Sequence, residues 1–329
     1  MPNPLLLALL GALVALLICA SLLIGPAAIG LGESLHALLE GRGEAVTLVM
    51  REIRLPRALL GAAVGGALGL AGAMMQGLLR NPLAEPGLIG TSASAALGAV
   101  LALQSGLAAA FALALPLAGL SGAAVSVVLI LVLAGPRGTT LTLILAGVAI
   151  SALASAVTAL VLNLSPNPFA ASEIVFWLMG SLADRSMPQV WLAAPFLAAG
   201  ALLAWPVGRS LDALTLGEDA AASMGVDVRR VRILAVLSCA ALVGTSTAMA
   251  GAIGFVGLVV PHLLRRAVAA RPGRLMAASA MGGAAMVLAA DVAVRLIAPD
   301  RDLKLGVLTA LVGTPFFLHM ILRTRKEGI

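Results

Sequence analysis

The chain has 329 residues, 61% of them hydrophobic and 11% charged, with a mean hydropathy of +1.08. That charge fraction is about half of what a soluble domain carries, which excludes a water-soluble globular protein and places the chain in a bilayer. The net charge of +6 is not a nucleic-acid signal, because the arginines gather at the ends of apolar runs.

The periodicity predicts an all-α integral membrane protein of ten transmembrane helices. In chain order they fall at Leu5–Ile24, Arg57–Leu79, Leu88–Leu103, Leu107–Ala134, Leu141–Leu162, Val190–Val207, Val231–Ala250, Leu258–Ala270, Leu275–Ile297 and Leu305–Leu322. The first lacks the basic segment that precedes a signal peptide's apolar core, so it reads as a retained span. Phe169–Leu182 is too short to cross and reads as a helix at the outer face. Cys19 and Cys239 both lie in apolar runs and are expected to be buried thiols.

Glycine is heavy, at 36 residues. Gly61, Gly65, Gly69 and Gly72 share one face of the second span, a spacing that lets membrane helices pack closely. Gly251-Ala-Ile-Gly-Phe-Val-Gly257, followed by Pro261, predicts opened backbone before a short eighth span. Such backbone is tolerated only where protein buries it or it lines a cavity. An interruption earlier in the chain, Asn81-Pro-Leu-Ala-Glu-Pro86, separates spans two and three.

The longest polar interruption of the second half is Asp212–Leu234. Glu218–Met224 reads as a brief Ala-rich helix, Gly225 as its stop and Asp227 as the cap of the next helix, with Arg229, Arg230 and Arg232 marking re-entry into the membrane. The segment is either a solvated loop or a docking element for a soluble partner. Thirteen of the 21 lysines and arginines fall on the side that holds this loop and both termini, which makes that side cytoplasmic.

Catalytic constellations are absent from the pattern. The lysines Lys304 and Lys326 do not follow glycine, so there is no phosphate loop of the Gly-Lys-Ser/Thr kind. His36, His262 and His319 are scattered without ligand spacing; His262 reads as a packing histidine, with haem ligation the sharper alternative. Glu173 and Asp291 lie near the outer face and no carboxylate is mid-span, which counts against a proton-coupled secondary transporter with broken helices. A membrane enzyme or scaffold is disfavoured by the missing acid/base or metal cluster.

Several ordered motifs carry a family resemblance. Arg54-Leu-Pro-Arg57, Gly72-Ala-Met-Met-Gln76, Asn81-Pro-Leu-Ala, Leu216-Gly-Glu-Asp, Met224-Gly-Val and Gly254-Phe-Val-Gly-Leu-Val-Val-Pro-His262 together resemble the permease subunit of type II ABC importers, the FecCD-type family for iron-siderophores, haem and cobalamin. The resemblance covers Arg51 to Arg325. It implies a single permease domain over residues 1–329, in the bacterial inner membrane. The implied partners are a second copy of the chain, two cytoplasmic ATP-binding subunits that carry ATP and magnesium, and one periplasmic substrate-binding protein. The chain itself would bind no cofactor, and its cargo would be haem or another metal chelate, with ferric siderophore and cobalamin as alternatives. The run Asn81–Gly90 is similar to haem permeases, which places haem first.

The same resemblance assigns roles. The coupling segment, about 212–230, would dock in the ATPase through Leu216, Gly217, Glu218, Asp219, Ala220, Ala221, Ala222, Met224, Gly225 and Arg229. Asn81 and Leu83 would form a cytoplasmic gate, adjoined by Thr139 and Thr140. Arg54, Arg57 and Arg295 would meet acidic groups of the binding protein at the outer face, with interface anchoring as the plainer reading.

Overall fold

A computed structural model describes residues 4–25, 27, 29–41, 44–135, 138–166, 168–299 and 303–327. Arg42, Arg137 and Arg301, which contribute to the charge asymmetry, lie outside the described residues. Among the described residues every regular element is helical. The first half runs α1 (Pro4–Leu23), α2 (Leu31–Leu39), α3 (Glu44–Leu48), α4 (Leu55–Leu78), α5 (Thr91–Gln104), α6 (Leu107–Ala110), α7 (Ala114–Ala134) and α8 (Thr140–Asn163). The second runs α9 (Pro168–Leu178), α10 (Met187–Leu214), α11 (Glu218–Ser223), α12 (Val228–Cys239), α13 (Thr245–Ala250), α14 (Val256–Leu264), α15 (Pro272–Ile297) and α16 (Leu305–Glu327).

Seven described helical rods are long and apolar enough to cross a bilayer: Pro4–Leu23, Ala45–Leu78, Ala114–Ala134, Thr140–Asn163, Met187–Leu214, Val228–Ala250 and Pro272–Ile297. The other three expected spans are shorter. The third is α5, of 14 residues, and the apolar part of the tenth is Leu305–Met320. The expected eighth span, Leu258–Ala270, is the nine-residue α14, about 14 Å long against a hydrocarbon core of ~30 Å. A 3-10 turn, Arg266–Val268, follows it, and Ala269 and Ala270 then take positive φ, which ends the segment. The expected fourth span divides at Phe111, whose extended backbone separates α6 from α7. The short helix expected over Phe169–Leu182 forms as α9.

The second span starts earlier than Arg57. A π-helical turn, Val49–Arg54, joins α3 to α4 in one rod, and Pro56 falls in the first turn of α4, where its missing N–H costs little. A second π-helical turn, Ala240–Gly244, joins α12 to α13. The break after α13 is open as expected: Gly251 and Phe255 take φ of +73° and +67°, and the residues between them are non-helical.

The central rod is α4, packed against α15, α10, α14 and α1. Its glycines are where backbones meet. A Cβ on Gly65 would strike the Gly283 carbonyl of α15, one on Gly69 the Ser279 carbonyl, and one on Gly72 the Gly257 carbonyl at the head of α14. Gly98 of α5 and Gly122 of α7 make the same kind of approach to Ala118 and Ser94. Without a hydrophobic difference between lipid tails and apolar side chains, such close contact is what holds membrane helices together. Cys239 is buried as expected, whereas Cys19 faces outward on α1.

Gly69→Ala should therefore lower the thermal stability of the purified chain, by roughly 1–3 kcal/mol as for other overpacked cores. Gly11→Ala, at a glycine with nothing within 4 Å, is the neutral control. Equal melting temperatures for the two variants in detergent would show that α4 and α15 are not in backbone contact.

Candidate functional site

The polar loop between α10 and α12 forms the elements expected of it. Gly217, at φ +110°, turns the chain into α11; Gly225, at φ +83°, turns it out; and Asp227 Oδ1 accepts from the Arg230 N–H at 3.0 Å as the cap of α12. The two faces of α11 differ. Leu216, Asp219, Ala222, Ser223, Met224, Gly225 and Arg229 are exposed, Gly217 and Ala220 are half-buried, and Ala221 is fully buried in the chain's own core. Ala221 is therefore turned away from any soluble partner, and a bulky residue there would disrupt the permease itself.

Glu218 also turns inward. Its carboxylate accepts from Arg232 Nη2 at 2.6 Å and from the Thr140 hydroxyl at 3.1 Å. The Arg232 hydrogen bond, as the largest cause, holds the Glu218 carboxyl below the usual carboxylate range. Because the folded value is depressed, the tie is intact at neutral pH and is lost only as pH falls through it. Arg232, which reads in the sequence as a membrane-boundary charge, is instead directed at this site.

The four expected gate residues have different neighbours. Asn81 Oδ1 accepts from the Leu83 N–H at 2.9 Å, which folds Asn81–Ala84 into a tight turn. Leu83 packs against the cluster of Leu258 and Val259 of α14 and Met320 of α16. Thr139 caps α8 by accepting from the Thr142 N–H at 3.2 Å, and Thr140 joins Glu218 and Arg232. The turn and α14 are linked through Gln76, whose amide donates weakly to Gly257 and Leu258 carbonyls and accepts from Arg265 Nη2 at 2.7 Å.

A cavity of about 230 Å³ sits at the break between α13 and α14. Glu85, Ser92, Ser246, Thr247 and the backbone of Gly251–Gly254 line it. Glu85 Oε1 lies 3.5 Å from the Phe255 N–H at the head of α14, and the Ser92 and Thr247 hydroxyls are 3.0 Å apart. Glu85 reads in the sequence as a loop charge; the fold brings it to a polar cavity. The signal available was its position between two prolines in the first interruption. His262 packs edge-on to Phe316, with ring centroids 5.8 Å apart. Among the described residues no group of three or more His, Cys, Asp or Glu is placed to hold a metal ion.

Arg54, Arg57 and Arg295 are turned inward in the isolated chain. Arg54 is 4% exposed and donates to the carbonyls of Leu22, Leu23 and Ala27 at 2.6–3.0 Å. Arg57 makes a two-pronged pair with Asp291, at 2.8 and 2.9 Å. Arg295 reaches the other Asp291 oxygen at 2.8 Å and also the Ser21 hydroxyl and carbonyl. Arg54 and Arg295 thus satisfy carbonyls at the end of α1, and Asp291, 2% exposed at its side chain, pairs with both Arg57 and Arg295. Of the three, Arg57 keeps the most access, at 18% side-chain exposure against 8% for Arg295.

Removing Asp291 strands two guanidiniums, so Asp291→Ala should destabilise the chain by about 3–5 kcal/mol, the cost of breaking a buried pair. Thermal unfolding in detergent reads this; an unchanged midpoint would mean that the cluster is solvated. Arg57→Glu should also unfold the outer face, since it sets a second carboxylate against Asp291.

Comparison with known proteins places this geometry. The FecCD transport family matches residues 13–323. The hemin transport system permease of Yersinia pestis is 36% identical over 296 residues, covering 86% of each chain. The Fe(3+) dicitrate transport system permease of Escherichia coli K12 is 37% identical, covering 84% of this chain and 86% of its own. The vitamin B12 import system permease of Klebsiella pneumoniae is 38% identical, covering 85% and 84%. A solved structure described as an inward-facing conformation of a metal-chelate type ABC transporter superposes with a TM-score of 0.85 at 31% identity, over 98% of this chain and all of the other. With sequence and fold in agreement along nearly the whole length, the chain belongs to the FecCD transport family.

Proposed function

We propose that this chain is the permease subunit of an ABC importer that carries a metal chelate inward across the bacterial inner membrane. The observation that carries the reading is the likeness over 98% of the chain to a metal-chelate type ABC transporter, together with the full-length permease relatives. The chain works with a cytoplasmic ATPase, a substrate-binding protein and a second copy of itself, and the ATP and magnesium belong to the ATPase. Haem, ferric chelates and cobalamin are the candidate cargoes. Relatives named for hemin, ferric dicitrate and vitamin B12 stand at 36–38% identity, so identity does not rank them. The Asn81–Gly90 motif puts haem first in the test.

Within this reading, the exposed face of α11 docks on the ATPase, and the Asn81–Leu83 turn with Thr139 and Thr140 forms the cytoplasmic gate. A binding protein meets the outer cluster through Arg57. Its acidic group would share Arg57 with Asp291, whereas Arg54 and Arg295 hold the platform from beneath.

Proteoliposomes containing this chain, its ATPase and its binding protein should take up one of hemin, ferric citrate or cobalamin in an ATP-dependent way. Uptake that persists without ATP, driven by an ion gradient, would overturn the importer assignment. Docking has a separate test at Ala222, which is exposed where Ala221 is not. Ala222→Trp should leave the melting temperature of the purified permease unchanged and abolish co-purification of the ATPase. Normal assembly would remove α11 from the docking surface.

A further inference from the structure

Six residues make α11 too short to hold its own shape, so any push on it travels through its contacts with longer helices. Its apolar contact is Ala221; its polar contact is Glu218. Arg232, one turn into α12 and 13% exposed at its side chain, divides its donors three ways. Nε donates to Thr140 Oγ1 at 2.9 Å, Nη1 to the Gly138 carbonyl at 3.2 Å and Nη2 to Glu218 Oε2 at 2.6 Å. The Thr140 hydroxyl then donates to Glu218 Oε1 at 3.1 Å, which closes the ring.

The ring joins the heads of three helices. Glu218 is the first residue of α11 and Thr140 the first of α8, which runs on for 24 residues; Arg232 stands on α12. The surfaces of α11 are divided accordingly. Asp219, Ala222 and Ser223 face outward, and Glu218 and Ala221 face the ring and the core. Arg80, from the turn after α4, adds positive charge near Glu218.

We propose that Arg232 is the positioning residue that passes a displacement of α11 to the head of α8, so that ATPase seating on the loop moves the Thr139–Thr140 end of the pathway. This rests on the proposed docking role of α11. A planar guanidinium fixes the relative places of three acceptors at once. An ammonium keeps the charge and lacks that fork, so lysine would hold the helices near each other without holding them in register.

The test uses the whole transporter in proteoliposomes, with the chelate imported by the wild type and hemin tried first. The readout is chelate imported per ATP hydrolysed, at matched amounts of assembled complex, a ratio that a merely folding role would not move. Arg232→Ala should lower it roughly tenfold, the scale of one lost charge-assisted hydrogen bond. Arg232→Lys should restore only part of it, and Glu218→Gln combined with Arg232→Ala should cost little more than Arg232→Ala alone. An unchanged ratio in Arg232→Ala overturns the proposal. Should that variant fail to assemble, Thr140→Val, which removes the hydroxyl at nearly constant shape, decides on the same ratio: a fall supports the ring and no change overturns it. Failure of the docking reading shows separately, as an ATPase that still binds Ala222→Trp.

Discussion

The structure depends on the backbone approach of α4 to α15 and to the head of α14. Lipid gives helices no hydrophobic reason to associate, so packing at short range has to do it, and Gly65, Gly69 and Gly72 remove the side chains that would keep the backbones apart. The polar ends of the same rod then fall into register. Arg57, before the glycines, meets Asp291 of α15, and Gln76, after them, meets the carbonyls of Gly257 and Leu258. One small-residue seam thus aligns an ion cluster at one end with the break of α14 towards the other.

Arginine does a related job at several helix ends. Arg54 and Arg295 take up carbonyls of the last turn of α1, which a helix leaves without intrahelical partners. Arg232 takes the Gly138 carbonyl just before α8 and the Glu218 carboxylate at the start of α11. In each place a planar, permanently charged fork binds two or more elements in fixed relation. The arginines near the end of α1 close around a buried Asp291, whereas the ring at α11 keeps Glu218 partly open, 42% exposed at its side chain. That difference suits a rigid platform on one face and a movable link on the other.

Between them lies backbone that forms no helix. The residues from Gly251 to Gly254 line a cavity, the kind of place that unpaired peptide groups in a membrane require. Glu85 places a carboxylate near the Phe255 N–H, at the positive end of α14. The two interruptions of the chain therefore meet in space, and the first one supplies an acceptor to the second.

Composition and periodicity by themselves determined the all-α membrane class, and the glycine spacing determined which face of α4 would pack. Gly225 and Asp227 determined where α11 ends and α12 begins, because a positive φ and a side-chain cap are local requirements. The ordered motifs carried the family. Span lengths were less legible: α6 parts from α7 with no change in hydrophobicity to mark it, and α14 stops after nine residues, at Arg265, where the expected span ran on to Ala270. Tertiary structure alone decided what the charges do. An arginine at a membrane boundary reads the same whether it faces lipid headgroups, a partner or a neighbouring helix. Only the packing of α1, α4 and α15 turned Arg54, Arg57 and Arg295 inward, and only the meeting of α8, α11 and α12 gave Arg232 its three acceptors. Those partners lie from 14 to 274 residues apart in the chain, and such distances leave no periodicity in the sequence to read.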